Sequence, residues 1–454
     1  MLVRDPVHGD VTLGPLENAV LDLPELQRMR GIKQLGTAHL VYPGCVHTRF
    51  DHSLGACAVA HRILDGLARE GFSIPTSLRE LVGAATLLHD VTHIPFGHTL
   101  EDERRLFPRH DKGERLATLL AGPLGARLQG FGAAGEIAAL LGADGTDVPG
   151  WAREIVSSTI DADLLDYLRR DSYFAGLAQN YDDRIFRYFT IADDRLALNM
   201  TKHGMERPDA RSEIVQILRM RYFLTERVYY HHTKVAAGAM VSKAVELALD
   251  ASDLSEAELL HLNDWTLLDR LLRAPQPAVA HLADRLERRD LLKRGYVISA
   301  NTVPPVERAE LVRRYHESRR TRREAESTLA AAVGCAPGEV IIYCPALTVM
   351  KEAAALVQTP NGLQRLNDTE HAPASETRAI EERYARLWRF YAFAPAAAAA
   401  RVAPAAAELF GYESEYEARE SRVESREPRR VRRSPSSRLW TLDSRLSRLV
   451  AARP

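Results

Sequence analysis

Several features that would mark a specialised class of protein are scarce or missing in this sequence. Cysteine is rare: the 454 residues hold four (Cys45, Cys57, Cys335 and Cys344), none in a CxxC pair. That excludes a disulfide framework and predicts free thiols in a reducing compartment. No run of roughly 18 apolar residues, the length needed to cross a bilayer, is present. The alanines from Ala396 to Ala400 follow Pro395 and fall well short of it. The opening segment MLVRDPVHGDVTLGP has no apolar core of the kind a secretory signal carries, so a cytoplasmic location is expected. No repeat of 20–50 residues is visible. Excess charge is missing too. A formal net charge of -1 gives no global attraction to nucleic acid or to an anionic membrane, so any anion must be bound by a local patch. The positive charge sits mostly on Arg rather than Lys, which a GC-rich genome produces as readily as a need to bind phosphate.

What is present describes an ordinary globular chain, with 46% hydrophobic and 27% charged residues. Its length exceeds what one core normally serves, so a large catalytic domain with an appended lobe is expected. A short strand is read at Asp10–Leu13, followed by the Arg- and Gln-rich stretch LPELQRMRGIKQLG. From Ser53 the pattern turns helical, with Leu54, Cys57, Ala58, His61, Leu64 and Leu67 on one face. A second helix is predicted over Leu78–Leu88, closed by Pro95 and Gly97. Further helices are predicted over Trp151–Asp171 and Arg211–Leu249, then two shorter ones within Asn263–Asp290 broken at Pro275-Gln-Pro277. The texture changes near Ile298. Glu339–Cys344 is β-branched and reads as a strand of a smaller α+β lobe. The fold class expected is mainly α: a helical domain over 1–297 with short N-terminal strands, a small α+β lobe over 298–412, and a charged tail over 413–454. The tail, rich in charge with Ser and Pro, reads as disordered. Its basic half (Arg429, Arg430, Arg432, Arg433, Arg438) is read as a solvated tail in preference to a nucleic-acid contact.

The chemistry is concentrated in His52, His89-Asp90 and Asp163. Two imidazoles and two carboxylates from separate helical segments suit a divalent cation such as Mg, Mn, Fe, Zn or Ni. A site of this kind that leaves room for water can activate it toward phosphorus. One His-Asp dipeptide carries no weight. The segment HDVTHIPFGHTLED, however, gathers His89, Asp90, His93, His98, Glu101 and Asp102 directly after an apolar helix, and His110-Asp111 follows. Such density does not fit a solvated face. On a helix, Asp163, Tyr167 and Asp171 fall at i, i+4 and i+8 on one face. Asp161 competes with Asp163 for the metal, and periodicity does not separate the two.

The motifs DPVHG (5–9), LPELQRMRGIKQLG (23–36), HTRFDHSLG (47–55), HDVTHIPFGH (89–98), DADLLDYLRRD (161–171) and VYYHHTK (228–234) stand in an order that resembles the HD-domain phosphohydrolases. Within them the resemblance is to the deoxynucleoside triphosphate (dNTP) triphosphohydrolase branch, dGTPases included; it is close over residues 1–250 and looser to about 390. The resemblance implies His52, His89, Asp90 and Asp163 as metal ligands and His93 as the catalytic histidine. It implies His98, Glu101 and His110 as groups that support catalysis and hydrogen-bond phosphate. Arg49 and Arg221 are similar to triphosphate-binding arginines, a role that suits a guanidinium fork. Gln34, Leu35 and Tyr229 resemble a sugar-side wall that would exclude a 2′-hydroxyl; Tyr167 and Asp171 join them on the substrate side. Two core aromatics on a helix remain the alternative for Tyr229-Tyr230. Asp22, Gln27 and Arg30 resemble a guanine-reading allosteric cluster for an effector such as GTP or a dNTP; a structural polar cluster at a subunit interface is the alternative.

The chain departs from this pattern at Glu101, where Asp is expected, and at Leu164, where a phosphate-contacting lysine is expected. The reaction implied is dNTP hydrolysis to deoxynucleoside and tripolyphosphate, in dNTP-pool control or phage defence, by a homo-oligomer. The alternatives are hydrolysis of another phosphate ester (nucleoside monophosphate, cyclic nucleotide or oligonucleotide), or nucleotide sensing or nucleic-acid binding around a relic site.

Overall fold

The computed structural model describes residues 1–110, 113–368 and 375–417. Residues 1–420 form one compact unit, mainly helical with small sheets. The chain opens with a hairpin, Leu2–Asp5 paired antiparallel with Gly9–Thr12. Its turn is fixed from within: the Asp5 carboxylate accepts the backbone N–H groups of Val7 and His8 at 2.8 and 2.7 Å, and Gly9 takes the φ of +82° that closes it. Asp5 is 2% exposed, so the turn is pinned inward and carries His8 with it.

The helix predicted from Ser53 begins earlier, at Arg49, and runs to Arg69. Thr48 and Asp51 form a reciprocal capping box that starts it, which satisfies two N–H groups and sets the entry angle. It is buried on most of its faces, between the Thr76–Leu88 and Ala162–Phe174 helices. The Thr76–Leu88 helix stops at His89, and a run of tight turns follows in which Phe96 and Gly97 take positive φ.

Two of the predicted helices are broken, each for a local reason. Trp151–Asp171 divides into Gly150–Val156 and Ala162–Phe174 because Asp161 caps the second, accepting Leu164 N–H at 2.7 Å while its other oxygen takes Ser158 N–H at 2.5 Å. Arg211–Leu249 divides into Pro208–Leu224 and His232–Asp250 around a widened turn, Thr225–Tyr229. There the Thr225 hydroxyl donates back to the Arg221 carbonyl, a bond that loosens helices. The pair Asp264–Leu272 and Pro277–Glu287 forms as predicted, the first started by Asn263.

Three antiparallel strands, in the order Lys293–Ser299, Arg389–Ala394, Ile341–Tyr343, make the C-terminal sheet. The helices Arg319–Val333 and Ala399–Phe410 pack with it in one apolar cluster. The change of texture near Ile298 therefore falls inside a strand. A second sheet joins distant parts of the chain: Arg195–Asn199 pairs in parallel with Leu356–Thr359, whose other neighbour is Gly362–Arg365. Between the two regions lies a buried ion network. Arg104 holds Glu246 and Glu326, Lys243 Nζ reaches both carboxylates at 3.0 and 2.9 Å, and Glu326 also accepts Ile342 N–H. At the end of the described chain Glu415 accepts the N–H and hydroxyl of Ser299, each at 2.8 Å. The basic stretch Arg429–Arg438 lies outside the described residues, as does Asp111.

Candidate active site

The Arg49–Arg69 helix supplies His52, the end of Thr76–Leu88 supplies His89 and Asp90, and the first turn of Ala162–Phe174 supplies Asp163. Their ligand atoms converge. His52 Nε2 lies 3.1 Å from His89 Nε2, 2.9 Å from Asp163 Oδ1 and 3.8 Å from Asp90 Oδ2. His89 Nε2 is 3.6 Å from Asp90 Oδ1 and 3.8 Å from Asp163 Oδ1. His52, His89 and Asp163 can each offer an atom to one ion. The competition between the two aspartates is decided by geometry: Asp161 spends both oxygens on backbone N–H groups as a cap, and Asp163 faces the histidines. Burial, together with the charge of Asp163, pushes Asp161 up to about 8.

Both imidazoles are locked in one orientation from behind. His89 Nδ1 donates to the Thr86 carbonyl at 2.7 Å, and His52 Nδ1 donates to Asp166 Oδ2 at 2.7 Å, so in each ring Nε2 is the nitrogen turned to the centre. Asp166 is fully buried and held in turn by His8 Nε2 at 2.6 Å and by the Arg170 guanidinium; Arg170 NH1 also reaches Asp5 at 2.9 Å. Burial alone would raise the Asp166 carboxyl, but Arg170, His52 and His8 hold it well below its ordinary range. His52 is itself pushed up to about 10; burial opposes this, and Asp163 and Asp166 outweigh it. A buried pocket that draws a proton so strongly has an excess of negative charge, and a divalent cation among two nitrogens and two carboxylates answers it. The residues fit the ion.

Beside this group stands a second one. His93, with no exposed surface, stacks on His110 at 3.7 Å and meets His98 edge-on at 4.8 Å. His93 Nε2 lies 3.1 Å from Asp90 Oδ1, yet neither ring nitrogen makes a directed hydrogen bond among the described residues. Burial, Arg49 and His110 hold it well below the usual imidazole value, so it is neutral at pH 7. Glu101 explains its extra methylene: one oxygen takes Arg115 NH1 at 2.6 Å and the other takes His110 Nδ1 at 3.1 Å. His98 is half exposed, 3.6 Å from Glu101 and 3.5 Å from Asp102. Arg49 is 2% exposed and bonded to Asp90. It fits because Gly97, at φ +55°, has no Cβ; one built there would lie 2.5 Å from the guanidinium.

Arg221 sits between the rings of Tyr167 and Tyr229, 5.3 Å from each, with Glu352 3.2 Å from its Nε. The Tyr229 hydroxyl donates to Asp171 at 2.6 Å, and His47 Nε2 meets the other oxygen of Asp171 at 2.8 Å. Tyr229 is thus tied to Asp171, while both Tyr229 and Tyr230 are partly buried against the same apolar core. Gln34 donates its N–H to the His47 carbonyl, its side-chain oxygen being buried without a partner, and Leu35 follows it at the start of the Gly36–Leu40 turn. Asp22, Gln27 and Arg30 make only local contacts, none of them to the four residues of the candidate metal group. Arg30 donates to Gln27 and covers the Phe50 ring, Gln27 donates to the Leu21 carbonyl, and Asp22 is exposed. Leu164 is 4% exposed and offers no charge.

Sequence reasoning passed over His8, Asp166, Arg170, Asp5, His47 and Arg115. The motifs DPVHG and DADLLDYLRRD contain the first four, but nothing in either shows that they meet.

Residues 49–171 match the HD domain, and residues 182–421 match the HD associated region. An uncharacterized protein of Methanocaldococcus jannaschii is 28% identical over 401 residues, which cover 87% of this chain and 79% of that protein. The deoxynucleoside triphosphate triphosphohydrolase SAMHD1 of Mus musculus is 28% identical over 284 residues, 53% of this chain and 43% of the mouse protein; the match thus spans under half of that relative's length. A solved structure of a phosphohydrolase from Bacteroides thetaiotaomicron shares the fold with a TM-score of 0.66 and 24% identity, over 87% of this chain and 99% of that one.

Proposed function

The chain belongs to the HD-domain family that carries the HD-associated region, and from that membership we propose that it hydrolyses deoxynucleoside triphosphates to a deoxynucleoside and inorganic tripolyphosphate. The observation that carries the reading is the convergence of His52, His89 and Asp163, with Asp90 3.6–3.8 Å from the two imidazoles, beside the buried His93, whose ring nitrogens make no directed hydrogen bond among the described residues. These four side chains would hold the divalent cation, which when bound supplies Lewis acidity toward a phosphoryl oxygen and makes water a better nucleophile.

The remaining steps belong to the protein's own groups. Hydrolysis adds water oxygen to the α-phosphorus and breaks its bond to the 5′ oxygen, which must gain a proton. Neutral His93 accepts the proton that water sheds, and His110, oriented by Glu101, stacks against its ring and holds it in position. The proton that His93 takes from water balances the one the departing 5′ oxygen gains, and His98, half exposed and 3.6 Å from Glu101, supports that transfer. Arg221, backed by Glu352, offers its guanidinium to the phosphate chain. Tyr229 and Asp171, with Tyr167, Gln34 and Leu35, form the sugar wall, where a 2′-hydroxyl would meet an aromatic edge.

A second reading, hydrolysis of a phosphate ester with fewer charges, is favoured by two observations: the position after Asp163 is the uncharged Leu164, and Arg49 is bonded to Asp90. The proposal includes a homo-oligomer and an effector, GTP or a dNTP, at Asp22, Gln27 and Arg30. Product analysis with each dNTP, GTP and the dNMPs, in Mg²⁺ or Mn²⁺, tests the reaction. Deoxynucleoside plus tripolyphosphate, lost in Asp90→Ala, is expected. Intact dNTPs alongside a consumed monophosphate or oligonucleotide would replace the first reading with the second.

A further inference from the structure

A cavity of about 590 Å³ opens on the far side of the turn that leads into the metal-ligand helix. That is the size of a site for a small organic molecule. None of the four metal-site residues lines it. Its apolar wall is built by Ile160, Phe189, Leu196, Leu198 and Met350. Its polar groups come from elsewhere. The hydroxyls of Ser157, Ser158 and Thr159 line one edge and have no hydrogen-bond partner among the described residues. Lys351, Arg365 and Glu381 also line the cavity, and Arg195 is paired with Glu154, so three cations face two carboxylates and one positive charge is left over. Asn367 also lines the cavity, and its side-chain oxygen is buried without a partner.

These groups make opposing demands. Inorganic phosphate would satisfy the cations and hydroxyls and leave the apolar wall wet. A hydrocarbon would cover the wall and strand Lys351, Arg365 and the Asn367 amide. We infer that this cavity binds an organic anion with a flat or apolar body and one phosphate-like charged end, and that its occupant braces the metal site. The body lies on Phe189, Leu196 and Leu198, and the charged end meets Lys351, Arg365 and the hydroxyl row.

Two covalent connections join the cavity to the active site. The turn carrying Ser157–Ile160 continues into Asp161, whose carboxylate takes Ser158 N–H and caps the helix that presents Asp163. On the other side, Lys351 and Ala354 face the cavity, and Glu352 between them faces Arg221. An occupant that fixes these two segments reduces the ordering that metal binding requires, so the two ligands must favour each other.

The binding claim stands apart from the reaction proposed above; full-length protein that turns over no dNTP still tests it. Calorimetric titration would use two probes, phenylphosphonate for a simple aryl anion and AMP for a nucleotide, with inorganic phosphate and adenosine as half-ligands. At least one probe should bind at one equivalent and at least tenfold more tightly than either half-ligand. That affinity should survive Asp90→Ala and fall tenfold or more in Lys351→Glu/Arg365→Glu, whose thermal melt reports folding. The probe that binds identifies the source, nucleotide or not. Phosphate binding as tightly as both probes, affinity lost in Asp90→Ala and kept in the double variant, or no binding by either probe up to about 2 mM would each overturn the site. For the bracing, Mn²⁺ affinity should rise at least threefold with the bound probe in the wild type and not in the double variant; an unchanged Mn²⁺ affinity would refute it.

Discussion

Asp166 orients His52 from behind without itself facing the candidate metal centre. Its carboxylate is fully buried and divides its oxygens among His52 Nδ1, His8 Nε2 and the Arg170 guanidinium. Asp166→Asn keeps the shape and removes the charge. The amide NH₂ must then face either Arg170, a donor, or His52 Nδ1, which would have to surrender its proton. In the second case the proton moves to Nε2, the atom aimed at the centre. Loss of a partner behind a metal-bound histidine weakens metal binding by about 10- to 100-fold, or roughly 1.4 to 2.7 kcal/mol. A second cost falls on stability. Asp5 becomes the one carboxylate bonded to Arg170 among the described residues, and a buried pair that loses one charge costs about 3 kcal/mol or more. The assay is calorimetric titration of chelator-stripped protein with Mn²⁺, alongside a thermal melt. Weakened binding that excess metal restores is the expected result. A folded Asp166→Asn protein whose Mn²⁺ affinity lies within threefold of wild type would refute the argument that Asp166 sets the His52 tautomer.

Other perturbations test neighbouring parts of the same reasoning. A Cβ at Gly55 would lie 2.0 Å from both Arg170 and Asp166, so Gly55→Ala should weaken metal binding and lower stability by about 1–3 kcal/mol, read by the same titration and melt. Burial pushes Glu103 up to about 8, so between its ordinary value near 4.5 and that point the folded state holds a proton the unfolded state has released. Stability from this group therefore falls as pH rises through that window, and Glu103→Gln should flatten the melt-versus-pH profile and stabilise the protein at pH 8 by on the order of a few kcal/mol. An unchanged slope would count against it. Tyr229→Phe removes the hydroxyl that holds Asp171, a bond to a charged group worth about 1.5–3 kcal/mol. It should cut kcat/KM for a dNTP about tenfold and narrow the preference over the ribonucleotide, measured by competing the two substrates.

The site was legible where the chemistry is carried in short segments. The run from His89 to Asp102 announces itself by density, and helical spacing puts Asp163, Tyr167 and Asp171 on one face without separating Asp163 from Asp161. The buried support was not legible. His8 and Asp166 are 158 residues apart and His52 and Asp166 are 114 apart, and no local pattern shows that such residues touch. The two broken helices were hidden for a different reason: apolar periodicity continues across Asp161 and Thr225, and only the hydrogen bonds those side chains make interrupt it.

By itself the sequence determined the mainly helical class and the short segments that carry the candidate His and carboxylate ligands, because periodicity and residue chemistry are local properties. Tertiary structure decided which aspartate faces the histidines, which way each imidazole is turned, and where a cavity opens between three remote segments. Those outcomes depend on burial and on the direction of single hydrogen bonds, and neither exists until the chain has packed.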